Sequence, residues 1–280
     1  MNLKGICFYL SLFCFPVSCL SFINILYASY FDYFLSINAY FITLAVSLLL
    51  GLIFFYYGKK SLKNINFSEQ LILIIFAYIL TSVLISIPFY LSNYQVTFLN
   101  SIFEAVSGIT GTGFSIFKNI KYLDPTLILW RSSTQWIGGL YFLIFLSLLF
   151  SSKTFNYKMT NLTFAGDSNF KSEGNIKDNI LKIFIFYSIL SFLIFISFNF
   201  SGLRLFNSLN LTMSLVSGGG FLPSDNLSDI ISTNLQKITL IFYLVLSLLN
   251  FYLIFNIFNK KNLIKDHKED LYILGLCFIL

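Results

Sequence analysis

Uncharged apolar runs of about 20 residues, the length needed to cross a bilayer, alternate along this chain with short polar, lysine-bearing segments. No charged residue occurs between Lys4 and Asp32, and residues 6–27 read as a first membrane-spanning helix, kinked at Pro16. Residues 39–57 form a second span, closed by Gly58-Lys59-Lys60. A third covers 71–90, starting after Glu69 and finishing near Pro88. The fourth covers 126–150, with Asp124 as N-cap and Pro125 at the first helical position. Residues 180–200 and 238–258 supply two more. The last run, 271–280, gives about 15 Å of helix, too little to cross.

Composition agrees with this pattern. Of 280 residues, 57% are hydrophobic and 11% charged, against about 25% charged in a soluble domain. An all-α polytopic membrane protein is therefore expected, and a cytosolic enzyme, a disulfide scaffold and a disordered tail are excluded. Ala28-Ser29 after the first run raises a cleaved secretory signal, but the run exceeds a usual signal core and is read as a retained span. The net charge of +6 does not point to nucleic acid, because the basic residues cluster between spans without interleaved stacking aromatics. Cys7, Cys14, Cys19 and Cys277 lie in apolar segments without metal-ligand spacing and read as packing residues.

Two uncharged stretches remain, 105–117 and 205–224. The first is too short to cross, and Gly218-Gly219-Gly220 with Pro223 interrupts the second. If neither crosses, 13 of the 18 basic residues fall on the side of Lys4 and only Lys118, Lys121, Arg131, Arg204 and Lys237 on the other. That bias favours two re-entrant segments and a cytoplasmic N-terminus. A shift of 107 residues places Asn100-Ser101 on Asn207-Ser208, Ser107 on Ser214, Thr110 on Ser217, and Gly113-Phe114 on Gly220-Phe221. The repeated unit is helix, short re-entrant helix (about 100–109 in the first copy), Gly/Thr/Ser loop, helix. Residues 270–280 look like the start of a third. A non-helical loop at membrane depth must line protein or water. Several such loops around one axis make rings of backbone carbonyls that can replace a cation's hydration shell.

At these residues the chain resembles the Trk/Ktr/HKT potassium transporter superfamily, its bacterial TrkH-type members above all. The resemblance rests on Phe103-Glu104-Ala105-Val106-Ser107-Gly108-Ile109-Thr110-Gly111-Thr112-Gly113-Phe114 and Trp130-Arg131-Ser132-Ser133-Thr134-Gln135-Trp136-Ile137-Gly138-Gly139, joined by Leu205-Phe206-Asn207-Ser208 and Gly219-Gly220-Phe221. It implies four helix–pore–helix repeats around one pore, of which this chain carries two. The resulting organisation is an N-terminal helix pair (1–62), a first repeat (63–152), a cytoplasmic loop (153–178), a second repeat (179–260), and a linker with the start of a third (261–280). By position, Thr110, Gly111, Thr112 and Gly113 correspond to the first filter segment and Ser217, Gly218, Gly219 and Gly220 to the second. The backbone of Thr110, Thr112, Ser217 and Gly218 would touch the ion. Where the family usually has Thr, Gly111 is expected to loosen the first loop. The resemblance further implies potassium (K+) as the transported ion, no covalently bound cofactor, a homodimer in the bacterial inner membrane, and a cytosolic nucleotide-binding regulatory subunit. The runner-up is a non-conducting truncated fragment or scaffold lacking repeats three and four.

Glu104 is the one acid well inside an apolar stretch. An ion pair with Arg131 that pins the pore helix is the favoured reading, a cation-attracting charge the other. Gly138-Gly139 reads as a close-packing site rather than a hinge. Gln135 reads as an interhelical hydrogen-bonder and Trp136 as a near-interface aromatic. The basic stretch 153–182 is a positive-inside signal, or a docking surface for the regulatory subunit. His267 carries no specific role. The glycines of 108–113 lack the strand and helix of a phosphate-binding loop, and neither a Ser/His/Asp set nor paired buried carboxylates support catalysis.

Overall fold

The computed structural model describes residues 2–33, 37–60, 65–150, 176–248 and 275. Its main elements among the described residues are α-helices: α1 (Leu3–Tyr30), α2 (Ile37–Gly58), α3 (Phe67–Tyr90), the short α4 (Phe98–Ile109), α5 (Pro125–Phe150), α6 (Ile176–Phe200), the short α7 (Leu205–Ser217) and α8 (Asn234–Leu248). Five of these, α1, α2, α3, α5 and α6, are long and apolar enough to cross a membrane. The last part of the sixth expected span, the run 271–280 apart from Gly275, His267, Cys277 and most of the 153–182 stretch lie outside the described residues.

Helices α3 and α8 each begin four residues earlier than hydropathy alone suggests, and for the same reason. Glu69 does not precede α3 but sits in its first turn, accepting the backbone N–H of Asn66 at 2.9 Å and that of Asn2. Gln236 likewise accepts the N–H of Thr233 (3.2 Å) while Thr233 Oγ1 accepts the N–H of Gln236 (3.3 Å). Both are reciprocal caps that satisfy orphan donors at a helix start. At α5, Asp124 accepts from Thr126 at 3.2 Å, and Pro125 takes the first position, where no N–H is needed.

The main core joins α1, α3 and α5 through Phe13, Val17, Leu73, Leu84, Trp130 and Tyr141. Three of its polar side chains reach backbone oxygens of a neighbouring helix. Tyr141 donates to the Phe13 carbonyl (2.7 Å), Trp130 to the Ile85 carbonyl (3.1 Å), and Ser21 to the Tyr40 carbonyl (2.9 Å). On α2, Gly58 lets the backbones meet: a Cβ there would fall 2.5 Å from the Phe8 nitrogen.

Both short helices belong to units that enter and leave by the same face. Tyr94, between α3 and α4, accepts the Asp124 N–H at the start of α5 (2.6 Å). In the second unit, Gly202 after α6 lies beside Gln236 of α8. The two returning segments also touch, since Asp225 accepts the Ile120 N–H. Depth is set by α5. Gly138 is halfway along that 26-residue helix, about 20 Å from its start. A Cβ there would collide with the Ile109 carbonyl at the end of α4, and one on Gly139 would come within 3.0 Å of Ser217 Cα at the end of α7. Both short helices therefore stop at the middle of a span.

This close approach sets an expectation. Gly138→Ala forces α4 off α5 and should lower stability in detergent by about 1–3 kcal/mol, the usual cost of overpacking. Gly51→Ala, where the added carbon would meet Phe15 and Cys14 side chains at 3.1–3.3 Å, should cost less. Thermal or denaturant unfolding checks the order; equal losses would contradict it.

Candidate functional site

The sequence-derived filter residues form two loops that superpose in their local bonding. In the first, the Gly111 N–H donates to the Gly108 carbonyl (3.1 Å) and the Thr112 N–H to Ser107 (3.0 Å). In the second, Gly218 donates to Leu215 (3.1 Å) and Gly219 to Ser214 (2.9 Å). Every one of these eight residues is shifted by 107. The hydroxyls follow the same rule: Thr110 Oγ1 donates to the Val106 carbonyl (2.7 Å) and Ser217 Oγ to the Met213 carbonyl (2.9 Å).

Backbone angles repeat as well. Gly111 and Gly218 have φ of 67° and 68°, and Gly113 and Gly220 have φ of 79° and 77°. Side chains rarely adopt such angles, which glycine takes without steric cost. Gly111 thus occupies a conformation suited to glycine, which accounts for its presence where looseness alone was expected. The αL residue Gly218 also caps α7, its N–H reaching the last turn.

The loops adjoin one another. A Cβ on Gly113 would sit 2.5 Å from the Gly219 carbonyl oxygen, and one on Gly111 would sit 3.7 Å from Ser217 O and from Gly219 Cα. Thr110, Thr112, Gly218 and Gly220 are exposed, whereas Gly219 is buried. Among the described residues no group of three or more His, Cys, Asp or Glu could hold a metal; the polar surface of the loops is carbonyl and hydroxyl oxygen.

Glu104 and Arg131 stand behind the first loop. Arg131 Nε donates to Glu104 Oε1 at 2.8 Å, with the side chains 1% and 0% exposed. The same carboxylate accepts Ser115 Oγ (3.0 Å) and the Ile116 N–H (2.9 Å), and Arg131 Nη2 donates to Ser115 Oγ (3.0 Å). The pair thereby ties α4, α5 and the segment leaving the loop. Arg131 also reaches the second unit, its Cζ lying 4.3 Å from the ring centre of Phe221. Its Nη1 has no hydrogen-bond partner.

Sequence reasoning missed the part played by Gln135. Its Nε2 donates to the Gly219 carbonyl (2.6 Å), and its Oε1 accepts the Phe221 N–H (3.0 Å). The contact is therefore with the second loop rather than with another helix's side chain. The signal available was the spacing of four in Arg131, Gln135 and Gly139, which puts all three on one face of α5. Trp136 is not merely an interfacial aromatic: its Nε1 donates to Ser191 Oγ of α6 (2.9 Å), and its carbonyl accepts the Tyr187 hydroxyl (2.9 Å).

Known proteins of similar sequence and fold are membrane transporters. An uncharacterized cation transporter of Methanocaldococcus jannaschii is 32% identical over 160 residues, covering 56% of this chain and 33% of the relative. The Trk system potassium uptake protein TrkG of Escherichia coli K12 is 27% identical over 249 residues, covering 85% of this chain and 50% of TrkG. The crystal structure of the potassium transporter TrkH from Vibrio parahaemolyticus superposes with a TM-score of 0.76 at 19% identity, over 100% of this chain and 57% of that one. The chain thus spans half or less of the length of these two curated relatives. The family described as TrkH, cation transport protein, matches residues 36–275. A multi-pass helical protein with this match belongs to the TrkH cation transport family, a family of transporters rather than enzymes.

Proposed function

We propose that this chain forms part of a potassium-conducting path across the bacterial inner membrane, with Thr110–Gly113 and Ser217–Gly220 as two sides of its ion-selecting ring. The observation that carries this reading is the meeting, at mid-depth, of two loops with the same alternation of positive φ. In an extended strand, groups on successive residues point to opposite sides. A positive φ at every second residue breaks that alternation and lets neighbouring carbonyls share one side. The helices α4 and α7 end beside the loops, and their C-terminal dipoles, each worth about half a negative charge, favour a cation there. Potassium as the ion is further supported by the relatives, TrkG being a potassium uptake protein and TrkH a potassium transporter.

The ring needs more than two units, and the described residues carry open faces for them. Phe221 is covered by Arg131 and is 2% exposed, while its counterpart Phe114 is 68% exposed. On α8, Ile238 and Phe242 occupy the positions of Arg131 and Gln135 and are 64% and 60% exposed. One outer helix covering the next loop is a head-to-tail contact, which closes when further units follow. A longer chain or a second copy can supply them. The same reading includes a homodimer, a cytoplasmic N-terminus on the lysine-rich side, and a cytosolic nucleotide-binding subunit docking on that side.

In the complete transporter, Gly113→Asp should abolish growth of a potassium-uptake-deficient strain on low potassium. It places a side chain against the Gly219 oxygen and at an unsuitable φ. Growth unaffected by that change would contradict the filter assignment. The ion pair has a separate expectation: Glu104→Gln or Arg131→Gln alone leaves a buried charge unpaired, at a cost of about 3–5 kcal/mol. The double substitution should retain more stability than either single one in detergent unfolding, and additive losses would remove the pairing role.

A further inference from the structure

The carboxamide of Gln135 is fully buried and spends both of its ends on one short stretch of backbone 84 to 86 residues away. It donates to the carbonyl of Gly219 and accepts from the N–H of Phe221, so it pairs with the loop as a neighbouring strand would. The residue between those two groups is Gly220, with φ of 77°. The contact admits no slack. A Cβ on Gly219 would fall 2.6 Å from Gln135 Nε2, and a Cβ on Gly113 of the first loop would fall 2.5 Å from the oxygen that Gln135 holds. Gly113, Gly219 and Gln135 thus meet at one point, and the side chain that fixes the second loop comes from the first unit.

Building on the pore reading above, we infer that Gln135 is a positioning residue that clamps the second loop across the boundary between units and thereby sets the ion preference of the ring. The Gly219 carbonyl is committed to the amide, which removes it from ion coordination and leaves that work to the other oxygens of the loop. A loop pinned on both sides of Gly220 also cannot contract around a smaller cation, so the ring keeps the width that suits the larger one. Arg131 over Phe221 and Gly139 against Ser217 hold the two ends of the same segment. Of these three α5 residues Gln135 alone hydrogen-bonds the segment's backbone, and its loss would free the Gly219 oxygen.

The test uses the full natural chain, purified and reconstituted in liposomes, with Gln135→Leu and Gln135→Glu. Leucine removes both bonds at similar volume; glutamate keeps the acceptor for Phe221 and loses the amide donor to Gly219. The readouts are the ratio of K+ to Na+ flux and the hydrogen exchange of the peptide containing Phe221. The ratio should fall by about fivefold or more, the worth of one net hydrogen bond, and exchange in the loop should accelerate while α5 and α7 stay protected. If leucine prevents folding, the glutamate variant carries the same expectation. A conducting wild type whose ratio is unchanged in the variants that fold overturns the clamp and leaves the pore reading standing. A wild type that passes no cation overturns the pore reading itself.

Discussion

A peptide group in hydrocarbon must find a partner, because an unsatisfied N–H or carbonyl costs several kcal/mol there. The architecture follows from that constraint. Helices α1, α2, α3, α5 and α6 satisfy it internally, and polar side chains such as Tyr141, Trp130 and Ser21 return to backbone oxygens of neighbouring helices. The loops after α4 and α7 cannot be satisfied that way. They are received at mid-depth by α5, which presents an arginine, a glutamine and two glycines over a little more than two turns.

The two units are alike where the backbone does the work and unlike where side chains support it. Loop angles and hydrogen bonds repeat at 107 residues, whereas Glu104 and Arg131 have the apolar Leu211 and Ile238 as counterparts. The conserved element within the chain is thus the shape of the loop. Its support varies: a buried ion pair holds the first, and the second leans on its neighbour. A desolvated ion pair is a weak source of stability but a good source of fixed geometry, and here it fixes three segments at once.

Much of the fold was legible because lipid imposes a length and a polarity on each element. The spans, the internal repeat and the glycines of both loops all leave marks on one sequence. Helix starts were less legible. Hydropathy sees Glu69 and Gln236 as polar and places them outside a helix, although each closes a cap spaced three residues from its partner, Asn66 or Thr233. Gln135 was readable as a hydrogen-bonder but not as a partner of Gly219 and Phe221, since a pairing across 84 residues depends on how units pack against each other. Gly111 shows the opposite lesson: a departure from a family pattern looked like slack and is a backbone angle of 67°.

The central claim is that backbone oxygens of the Thr110–Gly113 and Ser217–Gly220 loops, apart from the Gly219 oxygen held by Gln135, together replace the water around a cation. Diffraction from crystals of the full natural chain grown in rubidium, recorded at the rubidium absorption edge, tests it most directly. The account predicts anomalous density on the axis shared by these two loops, bounded by their carbonyls. Strong rubidium sites elsewhere in the membrane region, with none beside Thr112 and Gly218, would contradict it.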